Sequence, residues 1–124
     1  MGLPLESAAM PKENIQIVRS VGPRTGATIL HIKGSLNIHT VFDFQSAVRA
    51  ENASALIVDF KDVPFIDSAG LGALVGAYVA AQRAGHKLAF AQVNEQVKTL
   101  IAMTHVDQLF STFATIQDAE AAIA

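Results

Sequence analysis

The sequence contains no cysteine and no tryptophan. Without cysteine, the chain can form no disulfide, offers no thiolate nucleophile and cannot build a cysteine-ligated zinc site. Charged residues make up only 16% of the 124 residues, and the formal net charge is -2. Because the few lysines and arginines form no basic cluster that could neutralise phosphates, we expect no direct binding to nucleic acid.

Long apolar runs are also missing. The longest weakly polar stretch, residues 69–81, is well short of the roughly 20 residues that cross a bilayer. Residues 1–14 are polar, contain two prolines and lack the apolar run of a secretory signal. We therefore expect no membrane insertion and a cytoplasmic location, with a polar leader at residues 1–14 and one domain at residues 15–124.

The first half of the chain predicts strands and one helix. Residues 15–18 and 27–32 are short β-branched runs separated by a turn-prone segment, which is typical of an antiparallel pair. Residues 40–50 carry apolar side chains at helical spacing. Residues 55–60 are almost continuously apolar, as expected for a strand that is covered on both faces in the middle of a sheet.

The second half alternates helices and strands. A helix after residue 67 would bury a stripe formed by Leu71, Leu74, Val75, Tyr78 and Val79, with Ser68 as its N-cap and Gly85 as its C-cap. A strand at 87–93, a helix capped by Asn94 and a last helix capped by Thr115 follow. This order predicts a single-domain α/β fold: a mixed sheet of four to five strands packed with about four helices, the later strands being parallel.

The junction between the buried strand and its helix is the most informative place. Strand-to-helix crevices are common binding sites in α/β sheets, and a hydroxyl at Ser68 would lie beside the unpaired N–H groups and positive dipole of a helix start. Phosphate would be tolerated there. Phosphorylation would add about -1.5 to -2 charges next to Asp67, enough to repel a partner that fits the neutral hydroxyl.

Three glycines follow within the same helix. Gly70, Gly72 and Gly76 each cost about 0.8–1 kcal/mol of helix stability relative to alanine, so each asks for a packing reason. They either leave a bare surface for a partner or let the helix lie close to its own sheet. From the residues alone, the simpler interpretation of Ser68 is a helix cap that has no other role.

Three segments of the chain carry a resemblance to a known family. Residues 58–60, 63–72 and 85–88 read VDF, VPFIDSAGLG and GHKL. They resemble the core of the STAS domain, the family of bacterial anti-sigma factor antagonists, and the similarity extends in order over about residues 15–124. The aspartate-serine pair that opens a glycine-rich helix is the specific part of this pattern.

The resemblance implies a partner-switching cycle and no enzymatic activity. The unmodified domain would bind an anti-sigma factor that is also a serine kinase, which frees the sigma factor. The kinase would then phosphorylate Ser68, and a PP2C-type phosphatase would reverse the modification. ATP would belong to the kinase, so neither a cofactor nor a metal is expected here, and the oligomeric state stays open between a monomer and a weak dimer. The implied partner-binding positions are Ser35, Asn37, Asp67, Ala69, Gly70, Leu71 and Gly72.

The chain departs from the family pattern in the loop after the second strand. The family usually has Gly-Glu-Leu-Asp, whereas this chain has Gly34, Ser35, Leu36 and Asn37 and so loses both acidic side chains. This loss could weaken binding of the kinase or indicate a different partner. Ala69 replaces a second serine that is common in the family, which leaves Ser68 as the only hydroxyl of the motif.

Two other functions remain open at this point. In an enzyme, Ser68 would be a nucleophile with one histidine as its base and Asp67 or Asp59 behind it, but no Gly-x-Ser-x-Gly elbow is present. The four histidines, His31, His39, His86 and His105, lie on separate elements. Alternatively, the domain is a scaffold subunit without a switch, docked on a signalling complex or a transporter ATPase assembly, and Ser68 only caps its helix.

Overall fold

A computed structural model describes residues 14–123 of the chain. The leader predicted at residues 1–14 lies outside the described residues except for Asn14. The strands are β1 (Gln16–Val21), β2 (Thr28–Lys33), β3 (Ala55–Asp62), β4 (Lys87–Ala91) and β5 (Thr112–Phe113). The helices are α1 (Val41–Ala50), α2 (Ser68–Ala84), α3 (Glu95–Met103) and α4 (Ile116–Ile123), with a short 3-10 helix at Asp107–Leu109.

The five strands form one mixed sheet whose spatial order, β1-β2-β3-β4-β5, equals their order in the chain. β1 and β2 are antiparallel, and every later neighbouring pair is parallel. The predicted α/β class, strand number and helix number are therefore confirmed, and β3 is the central strand. No helix among residues 14–123 is both long and apolar enough to span a membrane.

Alternating side chains of the sheet divide the core into two layers, because successive residues of a strand point to opposite faces. The larger layer lies on the side of α1, α2 and α3 and includes Leu30, Ile32, Leu36, Phe44, Val58, Leu74 and Phe90. The smaller layer lies under α4 and is built from Ala27, Ile29, Ile57, Ala89, Ala119 and Ile123. Because β3 is covered by a core layer on each face, its sequence is almost continuously apolar.

Helix α2 packs through smaller side chains than its sequence pattern predicts. Its fully buried residues are Gly70, Ala73, Leu74 and Ala77, whereas Val79 of the predicted stripe is 39% exposed. The other four predicted residues, Leu71, Leu74, Val75 and Tyr78, pack in or against the larger core layer, so the prediction is wrong only for Val79. The small residues of α2 complete the buried face. The predicted C-cap is confirmed, because Gly85 has φ 72° and its N–H bonds back to the last helical turn.

A buried carboxylate ties the last helix to the first hairpin. Glu120 in α4 is 1% exposed and accepts hydrogen bonds from the Arg24 N–H (3.2 Å), the Thr25 N–H (3.1 Å) and the Thr25 hydroxyl (2.9 Å). Burial raises the pKa of Glu120, but the hydrogen bonds from Thr25 and Arg24 outweigh this and hold the pKa below its usual 4.5. The ionised form of Glu120 therefore stabilises the fold.

The pH dependence of stability provides a test of this anchor. Because the folded-state pKa of Glu120 is lowered, its contribution is present above the pKa of the unfolded chain and is lost as pH falls through the folded value. Glu120→Gln should therefore lower the urea midpoint at pH 7 and reduce its dependence on pH between 5 and 3. Asp118→Asn, an exposed acid in the same helix, serves as the control. Equal pH dependence in wild type and Glu120→Gln would contradict the assignment.

Candidate functional site

Two loops meet at the start of α2. Leu36 and Ile66 form an isolated parallel bridge beyond the ends of β2 and β3. The Leu36 N–H donates to the Phe65 carbonyl at 3.1 Å, and its own carbonyl accepts from the Asp67 N–H at 3.0 Å. The loop with Ser35 and the helix tip with Ser68, which are about 30 residues apart in the sequence, are thereby brought to one end of the sheet.

Asp67, and not Ser68, is the N-cap of α2. Its Oδ1 accepts a hydrogen bond from the Gly70 N–H at 2.9 Å, and its backbone is extended, while Ser68 is the first helical residue. The prediction that Ser68 caps the helix is therefore wrong. The other oxygen, Oδ2, accepts from the Ile38 N–H at 3.2 Å, so one carboxylate joins the helix tip to the loop.

Ser68 is exposed on this tip and available to another molecule. No hydrogen bond or ion pair within residues 14–123 engages its side chain. As the first residue of a 17-residue helix, it lies where unpaired N–H groups and the helix dipole favour negative charge. The hydroxyl can therefore be reached by an outside enzyme, and an added anion would not oppose the helix.

The glycines of the motif have different environments. A side chain at Gly70 would collide with the carbonyl of Leu36, whereas nothing lies within 4 Å of the corresponding position at Gly72 or Gly76. Gly70 is buried, so the prediction that it contacts a partner needs correction: it lets the tip pack on the loop. Of the two explanations for these glycines, close packing holds for Gly70 and a bare surface holds for Gly72 and Gly76.

The remaining motif positions are intermediate in exposure. Ala69 and Leu71 are half-buried, and Leu71 packs against the larger core layer. These two residues therefore present part of their surface beside Ser68.

The loop residues Ser35 and Asn37 are half-buried and shape the entry into α1. The Ser35 carbonyl accepts from the Thr40 hydroxyl at 2.8 Å. The Asn37 amide oxygen accepts from the His39 N–H at 2.8 Å, and the Asn37 carbonyl accepts from the Thr40 and Val41 N–H groups. An amide oxygen can therefore make the turn here without the negative charge that the family usually places at this position.

Exposed apolar side chains surround the loop and tip, a feature that sequence reasoning missed. Ile38 is 68% exposed, Phe42 is 76% exposed and Phe65 is 46% exposed. Ile38 follows Asn37 and bonds to Asp67, Phe42 lies in the first turn of α1, and Phe65 directly precedes the bridge residue Ile66. We call these three residues the apolar rim. In the sequence, Phe42 lies outside the apolar helical stripe of residues 40–50. This position was the signal from which its exposure could have been predicted.

The residues predicted for an enzyme do not assemble around Ser68. His31 and Asp59 do form a pair, with 2.7 Å between Nδ1 and Oδ2, but the serine bonded to this histidine is Ser20. Within residues 14–123, no group of three or more histidine, aspartate or glutamate side chains could hold a metal ion. Within residues 14–123, no histidine or carboxylate is hydrogen-bonded to the Ser68 side chain.

Comparison with known proteins shows the family of the chain. A family model described as the STAS domain matches residues 16–119. An anti-sigma F factor antagonist from Paenibacillus polymyxa is 28% identical over 83 residues, covering 64% of this chain and 71% of that protein. The anti-sigma-F factor antagonist RsfB from Mycobacterium tuberculosis is 27% identical over 108 residues, covering 83% and 86%.

The fold also matches solved structures. An anti-sigma factor antagonist from Mycobacterium paratuberculosis superposes with a TM-score of 0.79 at 21% identity, covering 92% of this chain and 97% of that one. At this identity the likeness concerns the fold alone. It supports the overall arrangement of strands and helices described above.

Proposed function

Since this chain belongs to the STAS domain family, we propose that it is an anti-sigma factor antagonist whose binding is switched by phosphorylation of Ser68. The observation that carries the proposal is the exposed Ser68 hydroxyl, which has no partner within residues 14–123 and stands at a helix start. The curated relatives named as anti-sigma factor antagonists support the general role. The switch and its partners are our inference.

Binding of the unmodified protein would use the apolar rim and the bare helix tip together. Exposed aromatic and aliphatic side chains supply most of the energy when a partner removes them from water. Gly72 and Ser68 add a flat, nearly side-chain-free patch beside them, which a partner backbone can approach closely. The partner we propose is an anti-sigma factor that is also a serine kinase.

Phosphorylation would break this contact by charge. A phosphate adds about -1.5 to -2 charges, and it would lie next to the Asp67 carboxylate. Because both oxygens of Asp67 are already engaged, by Gly70 and Ile38, the tip cannot rearrange to separate the two anions without losing its cap. The partner, matched to a neutral hydroxyl, would meet repulsion and a desolvation penalty, while a PP2C-type phosphatase would restore binding.

The test is phosphorylation by the candidate kinase, followed by intact-mass measurement. We expect the wild type to gain one phosphate when it is incubated with that kinase and ATP, and Ser68→Ala to gain none. Ser111→Ala, which removes another exposed serine, should gain one phosphate like the wild type. The kinase binding this protein without transferring phosphate would refute the switch and favour the scaffold function.

A further inference from the structure

A second serine, Ser20, lies far from the Ser68 motif in the sequence. It is the first of three side chains that are hydrogen-bonded in series. The Ser20 hydroxyl lies 2.8 Å from Nε2 of His31, and Nδ1 of the same ring lies 2.7 Å from Oδ2 of Asp59. Because a carboxylate can only accept, His31 carries a proton on Nδ1, and in the neutral ring Nε2 accepts the Ser20 O–H. Serine, histidine and aspartate are thus linked in the order in which a serine nucleophile is activated.

Asp59, the last of the three side chains, is held firmly by other hydrogen bonds. Asp59 is 6% exposed, and its Oδ1 accepts from Nε2 of Gln92 at 2.9 Å and from the Lys61 N–H at 3.0 Å. These bonds fix the carboxylate, which in turn fixes the ring of His31. A general base with a fixed tautomer and orientation is the feature that separates an activated serine from an ordinary surface serine.

The Ser20 end of this hydrogen-bonded series is open to solvent. Val18 of β1 lies directly opposite His31, and the register continues to Asp59, so these side chains share one face of the sheet. On the same face, α4 packs over Ile29 and Ile57 through Ala119 and Ile123, and Val18 lies outside this cluster. Val18 is 53% exposed and the His31 side chain 30% exposed. A small apolar group could therefore rest on Val18 beside Ser20.

The backbone offers a donor for a developing negative charge. The Gly22 N–H donates to the Ala27 carbonyl, so even-numbered residues of β1 direct their N–H groups toward β2. The Val21 N–H consequently points away from β2, to the edge of β1 that no other strand of residues 14–123 covers. It belongs to the residue after the serine, the position that supplies an oxyanion donor in many serine hydrolases.

We propose that Ser20 is a nucleophile, activated by His31 and Asp59, that reacts with small carboxylic esters independently of the Ser68 switch. Ser20 Oγ would bond to the ester carbonyl carbon, and its proton would pass to Nε2 of His31. The bond from carbon to the alkoxide would then break, with the proton leaving on the alcohol. Water, deprotonated by His31, would release the carboxylic acid and regenerate Ser20.

The first half of this reaction can be tested with a fluorophosphonate probe on the full-length protein. The probe forms an Oγ–P bond and loses fluoride, so mass spectrometry of peptides identifies the serine. We expect label on Ser20 and at least about a 100-fold slower rate in His31→Gln, the usual effect of a general base. Hydrolysis of p-nitrophenyl acetate should fall by a similar factor in Ser20→Ala and His31→Gln.

Matched variants separate activation from mere exposure. Ser111→Ala should keep the label and the hydrolysis rate of the wild type, because the Ser111 side chain is exposed but has no hydrogen-bonded base within residues 14–123. Circular dichroism of His31→Gln should match the wild type, so that loss of labelling reports chemistry and not unfolding. Absence of label on Ser20, or an unchanged labelling rate in His31→Gln, would overturn the proposal. The hydrogen bonds among Ser20, His31 and Asp59 would then only link the strands.

Discussion

Ser68→Glu should lower affinity for the anti-sigma partner at least about 100-fold, or about 2.7 kcal/mol, as measured by calorimetry or surface binding. The variant places a permanent negative charge where phosphorylation would place one, and like charges across an interface cost several kcal/mol. The fold should be unaffected, because an acid in the first turn of a helix interacts favourably with its dipole. Thermal unfolding of the same sample checks this second point.

Two neutral variants show whether charge or size is responsible. Ser68→Gln has almost the shape of the glutamate variant and should bind far more tightly than it does. Ser68→Ala should bind like the wild type, and its stability should be nearly unchanged, since the helix cap belongs to Asp67. If Ser68→Glu binds as tightly as wild type, or if Ser68→Gln binds as weakly as Ser68→Glu, the electrostatic switch is wrong.

Gly70→Ala should destabilise the protein by about 1–3 kcal/mol, the usual cost of overpacking a close contact. The new Cβ would collide with the Leu36 carbonyl oxygen and lie 3.0 Å from the carbonyl carbon. Leu36 cannot move away easily, because it is 0% exposed and its N–H and carbonyl are both hydrogen-bonded to the neighbouring loop. Urea unfolding of the variant measures the loss.

Gly76→Ala, in the same helix, should change the stability of the protein in the opposite direction. Nothing lies within 4 Å of its Cβ position, so only the helix preference for alanine acts, and it favours the variant by about 0.8–1 kcal/mol. Comparing these two substitutions isolates the contact with Leu36 from the general effect of replacing glycine. A stabilising effect of Gly70→Ala would show that the loop can yield at this point.

Local patterns were sufficient for most of the fold. The β-branched runs, the buried central strand and the caps at Gly85 and Asn94 all depend on neighbouring residues, and each was predicted correctly. The Thr115 cap is confirmed as well, since its hydroxyl accepts from the Asp118 N–H at 3.0 Å. The elements and their order therefore follow from short-range chemistry together with the usual handedness of crossovers.

Features that depend on contacts between distant segments were missed. Asp67 and Ser68 are both common N-cap residues, and the choice between them is made by Leu36 and Ile38, which hold Asp67 in an extended conformation. The approach of Leu36 to Gly70 has the same origin. The exposure of Phe42 and the alignment of Ser20 with His31 depend on register and packing, which spacing within one segment does not reveal.

The five strands have the same order in the sheet as in the chain, and this has a consequence for biosynthesis. Each strand that emerges from the ribosome can add to the growing edge left by the strand before it, without waiting for a later segment to be inserted between them. The β1–β2 hairpin precedes the other described strands in the chain, whereas α4, which follows all five of them, contacts its turn through Glu120. The hairpin therefore cannot gain this contact until every described strand has been synthesised.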